Sequence, residues 1–309
     1  ALAELGGDAV RLLDPACGSG HFLLDGLRRI VAATAAQHPD WDKRVVVEHA
    51  LERVVGIDLN DYACALARAR MVMTAAELAG VKSLAEAAQF HPHVYWADGL
   101  EQVERDDERP AEQLELIGGA GGKAKEAPPK AVLTRPSVRL VLRPILKKKF
   151  QVVVGNPPYI TERDPARKEY HRERVGKKRR YVSAYREYSL AAPFIERCLQ
   201  LAEKDGWIGL IVGNNFMKRE FGKPVIEEVL AAVDLTLVVD SSQAFIPHHG
   251  TPTVLIFARN RGPAGDSVRA VMGRRGEPGV PDDPANGRVW SGIVAGFSKP
   301  GFETEFVSV

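Results

Sequence analysis

Short apolar runs alternate along this chain with longer stretches in which apolar residues recur at helical spacing. That alternation is typical of strand–helix–strand units, which build a largely parallel sheet covered by helices. Seven runs are strand candidates: residues 10–13, 54–57, 94–97, 151–154, 207–212, 235–240 and 254–258. The sequence therefore predicts an α/β fold.

The composition is that of a globular protein, since 45% of the 309 residues are apolar and 27% are charged. No run approaches the roughly 18 uncharged apolar residues that a membrane-spanning helix needs. The three cysteines, Cys17, Cys64 and Cys198, lie far apart and form no C-x-x-C pair, so we expect neither a disulfide framework nor a metal site. These features favour a reducing, cytoplasmic setting without membrane association.

The first strand candidate runs into the loop D-P-A-C-G-S-G-H-F at residues 14–22, which precedes a helix. Glycines at this place let the backbone approach a bound cofactor closely. A nicotinamide-binding fingerprint would need glycine at the position of Leu23, and a P-loop would need G-K-[S/T], so both patterns fail. Asp14 at the strand end suits a ligand with an ammonium group, such as S-adenosylmethionine.

Two further acids follow the next strand candidates. Asp58 ends the second, and its carboxylate can accept both ribose hydroxyls of an adenosine. The gap from Gly20 to Asp58 is 38 residues, longer than the usual ~20, and a helix inserted at residues 42–53 would account for the surplus. Asp98 follows the third strand, where an acid by itself is typical of a turn; the alternative is that it accepts from an adenine amino group.

The most specific motif is V-V-V-G-N-P-P-Y at residues 152–159. Two prolines end the strand, so Asn156 and Pro157 present carbonyl oxygens at the carboxyl edge of the sheet. A planar NH2 group is a poor nucleophile, and accepting hydrogen bonds from both N–H groups favours the pyramidal form whose lone pair can attack a methyl sulfonium. Tyr159 would stack on the ring that carries the amine.

Positive charge is concentrated in one part of the chain. Residues 127–190 hold 17 Lys and Arg against 5 Asp and Glu, whereas the whole chain has a net charge of only +2. Five of the seven tyrosines are interleaved with these charges, which suits phosphates and unstacked bases; a solvated loop is the alternative interpretation. The candidate nucleic-acid contacts are Arg163, Arg167, Lys168, Arg172, Lys177, Lys178, Arg179 and Arg180.

Taken in order, D-P-A-C-G-S-G-H-F, G-I-D-L-N, A-D-G and N-P-P-Y resemble the amino-methyltransferases that modify adenine N6 in DNA, in the gamma arrangement. There the cofactor motif precedes the catalytic one. F-I-P at residues 245–247 and G-T-P-T-V at residues 250–254 resemble the base-pocket segment of fused type II methylases and of PglX-like methylases of BREX phage-defence systems. The resemblance extends from residue 10 to about residue 290, apart from an interruption at residues 101–149.

The resemblance implies a Rossmann-like class I S-adenosylmethionine-dependent methyltransferase with a seven-stranded, mostly parallel sheet and a reversed last strand. Residues 1–100 would form the cofactor-binding half and residues 150–261 the catalytic half of one domain. The charged, glycine-rich residues 101–149 would be a flexible insertion, and the Gly/Pro-rich residues 262–309 a tail of turns and short strands. We also expect an excised catalytic core without its target-recognition region.

The resemblance further implies the residues of the site. The cofactor would contact Asp14, Ala16, Cys17, Gly18, Ser19, Gly20, Phe22, Asp58, Leu59 and Asp98. A flipped adenine would meet Asn156, Pro157, Pro158 and Tyr159, with Phe245 as a further base-pocket residue. The implied partners are double-stranded DNA and other defence-system proteins.

Two other functions stay open at this point. Protein-glutamine and some RNA methyltransferases present the same groups to a planar NH2, so N-P-P-Y does not by itself define the substrate. A module that binds DNA or a partner protein without turnover is the other alternative. The basic, tyrosine-rich stretch and the F-I-P and G-T-P-T segments favour a flipped DNA base.

Overall fold

The computed structural model describes residues 1–105, 134–247 and 250–309. Most of the predicted insertion and the pair His248-His249 lie outside the described residues. The chain divides into two compact units. The first, named here the glycine-loop unit, comprises Gly6–Phe150 and Arg163–Arg180; the second, the NPPY unit, comprises Ala1–Leu5, Gln151–Glu162 and Tyr181–Val309.

The described strands are β1 Leu12–Asp14, β2 Val54–Asp58, β3 His93–Trp96, β4 Phe150–Gly155, β5 Arg174–Val175, β6 Lys178–Arg179, β7 Ala202–Gly213, β8 Asp234–Asp240, β9 Thr253–Arg259, β10 Arg269–Gly273 and β11 Val307–Ser308. The described α-helices are α1 Leu2–Leu5, α2 His21–Gln37, α3 Lys43–Leu51, α4 Asp61–Ala79, α5 Leu84–Ala87, α6 Pro136–Lys147, α7 Pro165–Arg172, α8 Ala191–Leu201, α9 Asn215–Lys218 and α10 Arg288–Gly296. Shorter turns are the 3-10 helices Glu220–Gly222 and Pro284–Asn286 and the π-helical Val225–Leu230.

In the glycine-loop unit, β1, β2 and β3 pair in that order and all run parallel. The buried runs of β1 and β2 are nearly continuous, as expected for parallel strands covered on both faces. Because parallel strands end at one edge, the loops after β1, β2 and β3 meet there. The helix predicted at residues 42–53 is α3, and Asp42 caps it by accepting from Arg44 N–H at 2.8 Å.

In the NPPY unit the strand order is β4, β7, β9, β8, β10, β11. Strand β9 runs antiparallel to both β7 and β8, which confirms the reversed last strand. All seven strand candidates are strands, and β10 and β11 extend the sheet beyond the predicted seven. A hydrogen bond links the carboxyl end of β8 to the start of β9, since Ser241 Oγ donates to the Thr253 carbonyl oxygen at 3.0 Å.

Two stretches in which no packed helix was expected contain one each. The described end of the predicted insertion is α6, which buries Leu142 and Leu146 at i,i+4 spacing, while its charged outer face gave it the composition of a loop. The tail contains α10, whose Val289 and Ile293 share a core cluster with Val239, Val271 and Val307. In each helix the apolar pattern consists mainly of two buried residues four positions apart. A pattern this short is difficult to recognise in a sequence rich in charge or glycine.

Candidate active site

The loop at residues 14–22, named here the glycine loop, leaves β1 and turns into α2. Gly18 and Gly20 both have left-handed backbones, with φ of +52° and +85°. A Cβ at Gly20 would lie 3.1 Å from the Cβ of Ala67, so glycine lets the loop pack closely on α4. Among the described residues, apart from its chain neighbours, no heavy atom lies within 4 Å of the place a Gly18 Cβ would occupy, so this part of the loop faces open space.

Backbone hydrogen bonds hold the glycine loop to the end of β2. Cys17 N–H donates to the Ile57 carbonyl at 2.9 Å, and Gly18 N–H donates to Asp58 Oδ2 at 2.7 Å. On its outer side Arg70 Nη1 donates to the Ser19 carbonyl at 2.8 Å. The loop is therefore fixed before any ligand arrives.

Asp14 is fully buried at the end of β1 and accepts from Ala16 N–H at 3.0 Å. Burial raises the pKa of Asp14 to about 7, and the charge of Asp58 acts in the same direction. A carboxyl group with this pKa is readily ionised by a cation placed next to it. The position suits an ammonium or sulfonium ligand.

Asp58 is half-buried at the end of β2. Its Oδ2 accepts from Gly18 N–H and its Oδ1 accepts from Asn60 N–H at 2.9 Å. Each carboxylate oxygen carries a second lone pair, so both can also accept from a pair of hydroxyl groups. The backbone contacts orient the carboxylate for that purpose.

The other expected cofactor residues differ in what they present. Phe22 is half-buried in the first turn of α2, and Leu59 is exposed, with its carbonyl accepting from Trp96 Nε1 at 2.9 Å. The Cys17 thiol is buried against Gly56, and burial raises its pKa. Cys17 therefore contributes its backbone and its packing rather than a reactive thiol.

Asp98 lies just after β3, and its carboxylate has partners within the protein. It is buried after β3, where Oδ1 accepts from Leu100 N–H at 2.9 Å and Oδ2 pairs with Arg167 Nη2 at 2.9 Å. The sequence motifs predicted a cofactor contact for Asp98 and a DNA contact for Arg167. The structure pairs the two with each other, so neither is simply a ligand contact.

The N-P-P-Y turn follows β4 in the NPPY unit. Asn156 is exposed, Pro157 is buried, Pro158 is exposed and Tyr159 is half-buried. The Tyr159 hydroxyl donates to Asn156 Oδ1 and lies 3.4 Å from the Ile211 carbonyl oxygen. Burial raises the pKa of Tyr159 to about 12, so the hydroxyl stays protonated near neutral pH and orients the Asn156 amide oxygen.

The Tyr159 ring lies beside the carboxyl end of β7. A Cβ at Gly213 would be 3.5 Å from Tyr159 Cγ and 3.7 Å from Thr251 Cγ2, so the ring and Thr251 both lie close to this backbone position. The Gly213 and Thr251 positions were not among the predicted site residues, although G-T-P-T had been recognised as a segment. Phe245 is half-buried on the connection between β8 and β9.

The basic residues after the turn form α7 and a hairpin, β5–β6, with Gly176 at its tip in a left-handed conformation. Arg174, Lys177 and Arg179 are exposed, and Arg174 faces Arg179 across the ladder. Arg163 is exposed, and Lys168 and Arg172 are half-buried. The side chain of Lys178 lies outside the described part of the structure.

Arg180 does not have the position expected of a phosphate contact. It is buried, pairs with Glu173 Oε2 at 2.8 Å and stacks over the Tyr170 ring at 4.1 Å. An arginine paired in this way is held for structural reasons. It closes the base of the hairpin, since Arg180 N–H donates to the Glu173 carbonyl at 2.7 Å.

Comparison with known proteins decides the family. Residues 52–245 match the model of the Eco57I restriction-modification methylases. The chain belongs to this family. The adenine-specific methyltransferase PglX of Streptomyces coelicolor is 35% identical over 319 aligned positions, which cover 100% of this chain and 26% of PglX. The resemblance seen in the motifs is confirmed, and the chain spans about a quarter of the length of PglX.

Two solved structures of restriction-modification enzymes show the same fold. The Type ISP enzyme LlaGI, solved as a nuclease-deletion mutant with a DNA substrate mimic, matches 85% of this chain and 21% of its own with a TM-score of 0.56 at 12% identity. The Type IIL enzyme MmeI, solved in complex with DNA, matches 85% of this chain and 33% of its own with a TM-score of 0.54 at 14% identity. These matches agree with the α/β fold that the sequence predicted.

Two absences hold for the described residues. None of their helices is long and apolar enough to cross a membrane. Within the same residues, no group of three or more His, Cys, Asp and Glu side chains is arranged to hold a metal ion.

Proposed function

We propose that the protein transfers a methyl group from S-adenosylmethionine to the N6 amine of an adenine flipped out of double-stranded DNA. The observation that carries the proposal is the turn after β4, where the exposed Asn156 amide oxygen is oriented by the Tyr159 hydroxyl. Membership of a restriction-modification methylase family and 35% identity to an adenine-specific methyltransferase support it.

The glycine-loop unit fits S-adenosylmethionine. The open space at Gly18 admits a ligand against the backbone, Asp58 offers acceptors for the ribose hydroxyls, and buried Asp14 suits the positive end of the molecule. When bound, the cofactor supplies an electrophilic methyl group. The residues of this unit bind and orient it.

The NPPY unit would prepare the nucleophile. Asn156 Oδ1 and the Pro157 carbonyl accept from the two N–H bonds of the amine, which favours the pyramidal nitrogen as its lone pair attacks. The Tyr159 ring offers a face for stacking, and Thr251 lies on the Gly213 side of the ring. The Asn156 oxygen has two lone pairs, so it can accept from the amine while the Tyr159 hydroxyl stays bound.

A radiolabelled methyl-transfer assay with DNA, RNA and protein acceptors tests the proposed substrate class. We expect label only in adenine-containing duplex DNA. Label in RNA or at glutamine would replace the DNA proposal, and cofactor binding without transfer to any acceptor would indicate a non-catalytic module.

DNA binding should be mostly electrostatic and centred on the hairpin. Arg174 and Arg179 face each other with like charge, an arrangement that is unfavourable unless an anion lies nearby. Changing Arg174, Lys177 and Arg179 together to Gln should weaken duplex binding. It should also reduce the slope of log affinity against log salt by about 0.9 for each phosphate that the variant no longer neutralises.

A matched variant gives the hairpin experiment its control. Changing the exposed Lys43, Lys82 and Lys148 to Gln removes the same charge elsewhere in the glycine-loop unit and should leave the slope near that of the parent. Equal slopes for the parent and the hairpin variant would indicate that this segment is only solvated and does not contact DNA phosphates. Sequence preference should change little in either variant, because phosphate contacts carry no sequence information directly.

Cofactor affinity should depend on pH through Asp14. With its pKa raised to about 7 by burial, Asp14 is mostly neutral at lower pH and gives less attraction to a cationic ligand. We expect affinity for S-adenosylmethionine to rise with pH up to about 7, approaching tenfold per pH unit well below it, and to level off above. Calorimetry of the parent and of Asp14→Asn checks this, since the same pH dependence in Asp14→Asn would exclude Asp14 as its source.

We further propose a setting in the cytoplasm, within a restriction-modification or phage-defence system. The three free cysteines fit a reducing compartment, and the relative PglX and the Eco57I family support a role in modification. Other proteins of such a system would be the partners. Co-purification of the tagged protein from its native host tests for them.

A further inference from the structure

The ion pair between Asp98 and Arg167 is mostly buried, since the two side chains are 5% and 13% exposed. Asp98 follows β3 at the edge where the loops after β1 and β2 also lie, and Thr134 Oγ1 accepts from its backbone N–H at 3.0 Å. Arg167 lies in the first turn of α7, which Asp164 caps by accepting from Ala166 N–H at 2.8 Å. A charge-assisted contact of this kind holds both partners firmly.

Further contacts dock the same segment onto the loop after β3. The Tyr170 hydroxyl accepts from Gln102 N–H at 3.0 Å, and Gln102 Nε2 donates to the Arg180 carbonyl at 3.3 Å. Tyr170 also carries the Arg180 guanidinium on its ring, and Arg180 closes the base of the hairpin. A continuous set of contacts therefore runs from Asp98 to the exposed charges of the hairpin.

We propose that Arg167 is a positioning residue that couples cofactor binding to DNA binding by holding the Asp98 carboxylate. The inference rests on the proposed function, in which Asp98 borders the cofactor and the hairpin contacts DNA. A carboxylate has about four acceptor positions. Asp98 can accept from a cofactor amine while Leu100 N–H and Arg167 stay bound.

The coupling follows from this shared carboxylate. A cofactor held by Asp98 binds better when Arg167 orients the carboxylate, and a bound cofactor in turn favours the paired state. The paired state keeps α7 and the hairpin docked, so the hairpin charges are presented in a fixed arrangement that loses less entropy on binding DNA. By linkage, each ligand must then raise affinity for the other by the same factor.

The test is a binding cycle without turnover, which uses S-adenosylhomocysteine and a short adenine-containing duplex. Calorimetry measures affinity for each ligand in the absence and in the presence of the other. In the parent we expect each ligand to tighten the other about tenfold. In Arg167→Gln we expect that factor to fall to about one.

Arg174→Gln is the matched control, because it removes the same charge from the same segment at an exposed position that does not touch Asp98. It should weaken DNA binding equally with and without S-adenosylhomocysteine and so retain the parent's coupling factor. If Arg167→Gln does not fold by circular dichroism, Asp98→Asn carries the same test with a neutral isostere.

The outcomes distinguish the coupling from the function on which it rests. A parent that binds both ligands with a factor of one, or an Arg167→Gln or Asp98→Asn variant that keeps the parent's factor, overturns the coupling and leaves the proposed function standing. A parent that binds neither the duplex nor S-adenosylhomocysteine overturns the proposed function itself.

Discussion

Asn156→Ala should lower the single-turnover rate of methyl transfer to an adenine-containing duplex by at least about 10²–10³, with cofactor affinity nearly unchanged. The physical reason is that Asn156 acts on the amine and not on the cofactor. Its amide oxygen is an acceptor that gains importance as the nitrogen becomes pyramidal, and alanine offers none. Rapid-quench measurement with excess enzyme checks the rate, and calorimetry checks the affinity.

Conservative variants of the same turn separate chemistry from folding. Asn156→Asp keeps an acceptor oxygen and should retain part of the activity. Tyr159→Phe removes the hydroxyl that donates to Asn156 but keeps the ring, so a small decrease is expected, whereas Tyr159→Ala should impair capture of the flipped base. Transfer at the parent's rate by Asn156→Ala would mean that the turn only ends a strand.

Asp58→Ala should weaken the binding of S-adenosylmethionine by about 1–3 kcal/mol, or about 5- to 150-fold. The substitution leaves the ribose hydroxyls without their acceptor, and it also releases the Gly18 and Asn60 N–H groups that the carboxylate now holds. Isothermal titration calorimetry of the folded variant measures the loss.

Asp61→Ala is the control for this experiment, because it removes an exposed carboxylate three positions further along the chain. Its affinity for S-adenosylmethionine should match that of the parent. If Asp58→Ala also binds like the parent, the assignment of Asp58 to the cofactor is wrong.

Much of the fold could be predicted from the sequence because parallel strands are buried on both faces and are apolar throughout. The runs that became β1, β2 and β4 end at acids, glycines or prolines, and in each unit these residues mark the carboxyl ends of the strands, where the candidate site residues lie. Helix caps are also predictable, because a capping side chain accepts from a backbone N–H only a few residues away. Asn60, for example, caps α4 by accepting from Ala63 N–H at 3.2 Å.

Contacts between residues distant in sequence could not be predicted. Nothing in the sequence pairs Asp98 with Arg167 or places Arg180 against Tyr170. The sequence alone does not show whether a charged residue faces solvent or another charge. Helix α4 shows a similar limit: Tyr62 and Met73 share an apolar face and are exposed, whereas Ala67 and Met71 are buried. At Ala67 the glycine loop packs closely on the helix, which favours a small side chain at that position.

The most direct test of the account identifies the methylated atom. Adenine-containing duplex is incubated with the purified protein and S-adenosylmethionine, digested to nucleosides and analysed by mass spectrometry, with Asn156→Ala in parallel. The account predicts N6-methyldeoxyadenosine from the parent and almost none from the variant. Methylated cytosine as the product, or equal N6-methyladenine from both proteins, would contradict it.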